Sequence, residues 1–106
     1  MGGFLESRRV HDLCERAGVP VWHGGMLESG IGRAHNLHLS SLPNFRLPGD
    51  IAASRRYYAE DLIEPPIEVS PDGTVPVPSD GPGIGVAVEH DRVARATLRH
   101  TEISST

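Results

Sequence analysis

The stretch HGGMLESGIGRAHN, residues 23–36, sets a glycine pair, a methionine and a lone carboxylate, Glu28, between an apolar run and a helical pattern. Asp50, in LPGDIAAS, stands in the same relation to a second short apolar run. Both acids follow predicted strands, on the side where parallel α/β sheets and barrels gather their functional loops. Positionally they are the best carboxylates of the chain. Each also has a purely structural use. Glu28 lies near a helix start, where negative charge suits the dipole, and Asp50 suits a turn. The helix start near Gly30 leaves backbone N–H groups without intrahelical partners, open either to an anion or to capping by Ser29 with water on the rest.

Other chemistries fail on residue type or spacing. Neither GPGIGV nor GGMLESGIG supplies G-x-G-x-x-G between a strand and a helix, and there is no lysine for a phosphate loop. His35 and His38 are spaced i, i+3, but zinc needs three or four converging ligands. The single cysteine, Cys14, sits at an apolar helical position and reads as a small core residue. No G-x-S-x-G elbow occurs. Glu60 with Asp61, and Glu64 with Glu68, fall in polar connecting sequence and read as solvated. The chain therefore offers no catalytic set and no metal-ligand set of its own.

The elements that must position Glu28 and Asp50 follow from periodicity. Val10, Leu13, Cys14 and Ala17 recur at i, i+3, i+4, i+7, which predicts an amphipathic helix over residues 6–17 that stops at Gly18. VPVW, residues 19–22, suits a buried strand with its proline at the beginning. Ile31, Ala34, Leu37, His38 and Leu42 predict a second helix over 29–42, ended by Pro43. A short strand is expected between Phe45 and Ile51. Helix, strand, helix and strand in turn suggest parallel βα units. Beyond the polar residues 54–62, IEVSPDGTVPVP predicts a small hairpin around Pro-Asp-Gly, and the end of DRVARATLRHTEI suits a strand.

At 106 residues the chain fits one modest domain, and its twelve glycines and nine prolines make it loop-rich. A net charge of −4 without a basic run excludes a nucleic-acid footprint. No apolar run approaches the ~20 residues that span a bilayer, and MGGFLESRR lacks a signal peptide's apolar region, so the expected location is cytoplasmic.

HGGMLESGIGRAHN, followed by LPGDIAASRRYY and VPVPSDGPGIGV, resembles the C-terminal part of the o-succinylbenzoate synthase and N-acylamino acid racemase group of the enolase superfamily. The likeness extends over nearly the whole chain. It implies an α/β fold: the C-terminal βα units of a modified (β/α) barrel, with residues 19–23 and 46–50 as strands seven and eight. The barrel would be incomplete. Residues 1–62 would belong to it, and residues 63–106 would be the tail that returns to a capping domain. The family abstracts a proton α to a carboxylate, giving an enediolate held on Mg2+ between two lysines. This chain has no lysine, and the resemblance places the lysines and the three metal carboxylates upstream of Met1, so catalytic and metal residues here are none.

By motif match, Gly25 and Met26 correspond to the substrate-contacting loop after strand seven, where a missing side chain lets a ligand approach backbone N–H groups. Tyr57 matches an aromatic of the pocket wall. Asp50 lies at a strand end facing the same mouth, and Glu28 aligns with the family's acidic position without a catalytic role. The implied partner is a small-molecule carboxylate, with neither nucleic acid nor membrane. The chain resembles a truncated product, a mis-started frame or a fragment, inactive alone and prone to self-association through uncovered barrel edges. The implied reaction is dehydration to o-succinylbenzoate for menaquinone synthesis. Racemisation of N-acylamino acids is the rival, and a non-catalytic interaction module is the alternative of another class.

Overall fold

The computed structural model describes residues 1–105. Helix α1 spans Phe4–Arg16 and α2 spans Gly30–Ser40, close to the predicted ranges. Gly3, at φ 113°, turns the chain into α1, and its carbonyl accepts bonds from the Ser7 amide and hydroxyl. At the far end Gly18 takes φ 69° and bonds to the Glu15 carbonyl, a left-handed stop that glycine adopts without strain. The predicted apolar stripe of α1 is only partly covered. Leu13 is exposed, and the buried residue of this helix is His11.

The two expected strands are reduced to extended segments running parallel through one bridge, Val21 with Phe45. Val21 N–H donates to the Asn44 carbonyl at 3.1 Å, and Asp50 N–H donates to the His23 carbonyl at 2.8 Å. Pro20 and Pro48 interrupt any longer ladder because they carry no N–H. The parallel α/β order therefore holds, while the regular pairing does not.

The regular ladder lies elsewhere. Strand β1, Ile63–Glu64, pairs antiparallel with β2, Ala87–Val88, in the register Ile63 to Val88 and Glu64 to Ala87. The predicted Pro-Asp-Gly turn is present: Ser70 N–H reaches the Thr74 carbonyl at 2.8 Å, and Asp72 Oδ1 accepts from the Thr74 amide and hydroxyl. Among the described residues no ladder extends from it, since Pro76 and Pro78 withhold their donors. A third helix, α3, follows at His90–Ala96. The strand expected near the C-terminus does not form among the described residues, where Leu98 and Ile103 lie open to solvent with nothing to pair against.

One apolar cluster joins these parts: Ala34 and Leu37 of α2 pack with Ile63 and Ile67, and Ile31, Ile51, Val75, Ile84 and Val86 close around them. The molecule is a slab of 47 × 45 × 24 Å with a radius of gyration of 15.4 Å. A compact domain of this length has a radius of about 13 Å. The flattening leaves Leu5, Val19 and Trp22 exposed. No helix among the described residues is long and apolar enough to cross a membrane.

Ile63 is fully buried at the centre of the cluster. Ile63→Ala should cost about 2–5 kcal/mol in urea unfolding, and a loss below about 1 kcal/mol would show that the cluster is not the core. The Asp72 carboxyl is held below the ordinary aspartate range, first by the Thr74 hydroxyl and then by its amide. A depressed folded-state value stabilises the turn above the ordinary range, and the effect is lost as pH falls through the lowered value. The Thr74 amide resonance should therefore titrate with a midpoint below that of aspartate in an unfolded peptide. A midpoint at or above that value contradicts the turn geometry.

Candidate functional site

In the loop of residues 23–29 three successive carbonyls, those of Met26, Leu27 and Glu28, are held by side chains from later in the chain. Arg33, fully buried one turn into α2, donates from Nη2 to the Met26 carbonyl at 3.1 Å and to the Glu28 carbonyl at 3.3 Å. Its Nε donates to Ser54 Oγ at 3.2 Å, and the Ser54 hydroxyl donates in turn to the Glu28 carbonyl at 3.3 Å. The Tyr58 hydroxyl donates to the Leu27 carbonyl. A buried guanidinium needs a counter-charge, which Glu28 Oε2 supplies at 3.4 Å from Nη2. The planar fork of arginine is suited to this: it meets several acceptors at once without losing charge.

The residues singled out from sequence fall together around this loop. Gly25 faces Asp50 backbone to backbone, and a Cβ at 25 would overlap the Asp50 carbonyl oxygen, so glycine is required there by the chain's own approach. Glu28 turns its carboxylate back to the Met26 amide at 2.9 and 3.2 Å. Met26 and Leu27 are left with exposed side chains, 73% and 60% accessible. Asp50 is exposed on the rim of a pocket shared with Gly49, Ala53, Arg55, Arg56 and Val69. Tyr57 is partly exposed and meets Tyr58 edge to face, with ring centroids 6.5 Å apart. Within the YY pair it is Tyr58 that bonds the loop, and nothing in the spacing chose between them.

Ser29 makes no side-chain bond to α2, contrary to the expected cap. Nothing in the sequence marks Arg33 or Ser54 as part of the site. A lone polar residue between apolar positions of a helix is ordinarily a solvated one, and only its contact with a loop residue 21 positions on identifies it as buried.

The chemistry available is therefore positional. The loop is a fixed wall carrying apolar side chains beside a carboxylate, and both Glu28 oxygens are already engaged. Among the described residues the one group of three ligand-type side chains within 4.8 Å is His11, Asp12 and Glu15, away from the loop on α1. His11 Nε2 accepts from the Asn44 amide at 3.0 Å, which places the ring proton on Nδ1, 2.8 Å from Asp12 Oδ1. That bond is the main cause holding the Asp12 carboxyl below its ordinary range. A metal on Nδ1 would push the proton onto Nε2, against the Asn44 N–H. The trio is an anchor between α1 and the Phe45 segment, with the His11 and Phe45 rings stacked at 5.6 Å.

A family model described as enolase C-terminal domain-like matches residues 1–92. An N-succinylamino acid racemase of Thermus thermophilus is 54% identical over 98 residues, which cover 92% of this chain and 26% of that protein. An o-succinylbenzoate synthase of Geobacillus kaustophilus is 53% identical over 97 residues, covering 92% of this chain and 25% of that protein. The crystal structure of an enolase-superfamily member from Listeria innocua superposes with a TM-score of 0.79 at 39% identity, over 89% of this chain and 25% of that one. The chain spans about a quarter of the length of the curated relatives it matches.

Arg33→Met keeps volume but removes the guanidinium donors to the Met26 and Glu28 carbonyls, leaving the Ser54 hydroxyl alone on Glu28. It should cost about 2–4 kcal/mol in denaturant unfolding, because buried acceptors and one carboxylate lose their partner. A loss under about 1 kcal/mol would show that the loop does not depend on this side chain. For the α1 trio, equimolar Zn2+ should leave the His11 imidazole resonances in place. Their displacement would contradict a ring proton on Nδ1.

Proposed function

The chain belongs to the enolase C-terminal domain-like family, and on that premise we propose that it is the C-terminal part of an o-succinylbenzoate synthase, forming one wall of a small-molecule carboxylate site. The observation that carries this reading is the pinned loop, which holds the Met26 and Leu27 side chains outward while Gly25 closes against the Asp50 backbone. In this reading residues 19–23 and 46–50 are strands seven and eight of an incomplete barrel, and their parallel bridge at Val21 and Phe45 supports it. Residues 1–62 are the barrel part and residues 63–106 the returning tail. The flattened shape and exposed Val19 and Trp22 suit a barrel segment whose neighbours lie outside it, and they also favour self-association.

Gly25, Met26, Asp50, Tyr57 and Glu28 are assigned to substrate binding. Gly25 contributes by letting the Asp50 segment close against the loop, Met26 by apolar contact, and Tyr57 as flanking aromatic surface. Glu28 acts by fixing the Met26 amide and balancing Arg33. A divalent cation does not fit the residues present, because the Glu28 oxygens are consumed and no second and third carboxylate converge on Asp50 among the described residues. With no lysine either, the chain's contribution is to orient a substrate and exclude water. A cytoplasmic setting, magnesium chemistry in the complete enzyme and a place in menaquinone synthesis belong to the same reading.

Racemisation of an N-acylamino acid is the second reading, favoured by relatives of both names matching almost equally well. A chimera decides between them: this chain replaces the corresponding quarter of a relative named o-succinylbenzoate synthase, and both reactions are assayed with Mg2+. Dehydration should survive within roughly tenfold, or about 1.4 kcal/mol of barrier. Racemisation alone would establish the rival. A folded chimera inactive in both reactions would overturn the wall and favour a non-catalytic module. The isolated chain should show no turnover, and turnover by it would refute the purely positional role.

A further inference from the structure

The first turn of α2 is held from outside its own sequence. Ser29 occupies the N-cap position without a side-chain bond, and Asp61, 31 residues beyond Gly30, takes over. Its Oδ1 accepts from the Gly30 amide and from the Leu62 amide, both at 2.7 Å. A Cβ at position 30 would overlap the Ile63 side chain, so the helix start and the segment entering β1 meet backbone to side chain with no room between. Asp61 Oδ2 is buried with no hydrogen-bond partner, a position a carboxylate does not choose for its solvation. The segment carrying it must be held in place.

Arg92 of α3 holds it. Its Nη1 donates to the Asp61 carbonyl at 3.1 Å and the Ile63 carbonyl at 3.4 Å, while Nη2 binds Glu64 at 2.7 Å and Nε lies 3.4 Å from Glu60. The Glu89 amide adds a bond to the Leu62 carbonyl at 2.8 Å. One arginine in the tail thus brackets both carbonyls flanking Leu62.

We propose that Asp61 is a positioning residue for the 23–29 loop: braced by Arg92, it caps α2 in place of Ser29 and fixes the point at which the loop enters the helix. Arg33, which pins the loop, stands one turn further along α2, so displacement of Gly30 would carry Arg33 away from the Met26 and Glu28 carbonyls. A carboxylate at a helix start also complements the exposed amides and the dipole there. The value of this device to catalysis rests on the wall reading above, but its test reads the order of the loop rather than turnover, so either can fail without the other.

The test is amide hydrogen exchange followed by NMR on the 106-residue chain. Asp61→Ala should lower protection at Gly30, Arg33 and Ala34 by roughly five- to thirtyfold, the range of a lost cap, and should loosen the Met26 amide. Residues 10–16 of α1 should keep their protection. Asp61→Asn, which retains an acceptor for both amides, should restore most of it. Arg92→Met keeps the Asp61 carboxyl but removes its brace and should weaken the same amides, which keeps the test decisive if Asp61→Ala does not fold. Unchanged protection at the start of α2 in these variants would overturn the proposal. So would a loss spread evenly over α1 and α2, or an Asn variant no better than Ala.

Discussion

The burial of Arg33 is the constraint on which the loop depends. A guanidinium removed from water is tolerated only where its N–H groups meet acceptors and its charge meets a counter-charge. The Met26 and Glu28 carbonyls, Ser54 and the Glu28 carboxylate meet the demand of Nε and Nη2, and each is thereby fixed, while Nη1 is buried without a partner. The loop is ordered because the arginine needs it as much as it needs the arginine. Ser54 extends the same constraint to the segment after Asp50, so the two turns that face each other across Gly25 share one anchor.

The tail enters the site through the same helix. Ile63 and Ile67 complete the apolar cluster against Ala34 and Leu37, so α2 is seated by residues far along the chain. Asp61 and Arg92 act on its first turn, one turn before Arg33. Burial, capping and the buried charge thus converge on α2, and the loop inherits its rigidity from that helix. The ion pairs of α3 with Glu60 and Glu64 are largely exposed and contribute little stability as pairs. Their bonds to backbone carbonyls carry the positional effect.

Much of this was legible in the sequence. The periodicity of Ala34 and Leu37 located α2 and half the core, and HGGMLES marked the loop by its glycines and its place after an apolar run. The resemblance carried by three ordered motifs gave the family that the matches show. What stayed hidden has a common physical cause, since residue type does not reveal which polar group is buried. Asp61 reads as solvated and Arg33 and Ser54 carry no mark of burial, and the contacts that reveal them, Arg33 with Ser54, Ser54 with Glu28 and Asp61 with Gly30, span 21 to 31 residues. β1 and β2 are too short to leave an alternating pattern, and α3, HDRVARA, buries no residue that could have marked a face. The expected hairpin and terminal strand failed for the opposite reason. Their apolar residues were visible, but prolines withheld the donors of one and the other found no neighbour.

The exposed 23–29 loop owes its order to the contacts on its backbone carbonyls. Backbone 15N order parameters for Gly25, Met26, Leu27 and Glu28 measure it most directly. Values near those of the helices, about 0.85, are expected despite the exposure of Met26 and Leu27. Values below about 0.6 at these amides, with α1 and α2 remaining ordered, would contradict that dependence.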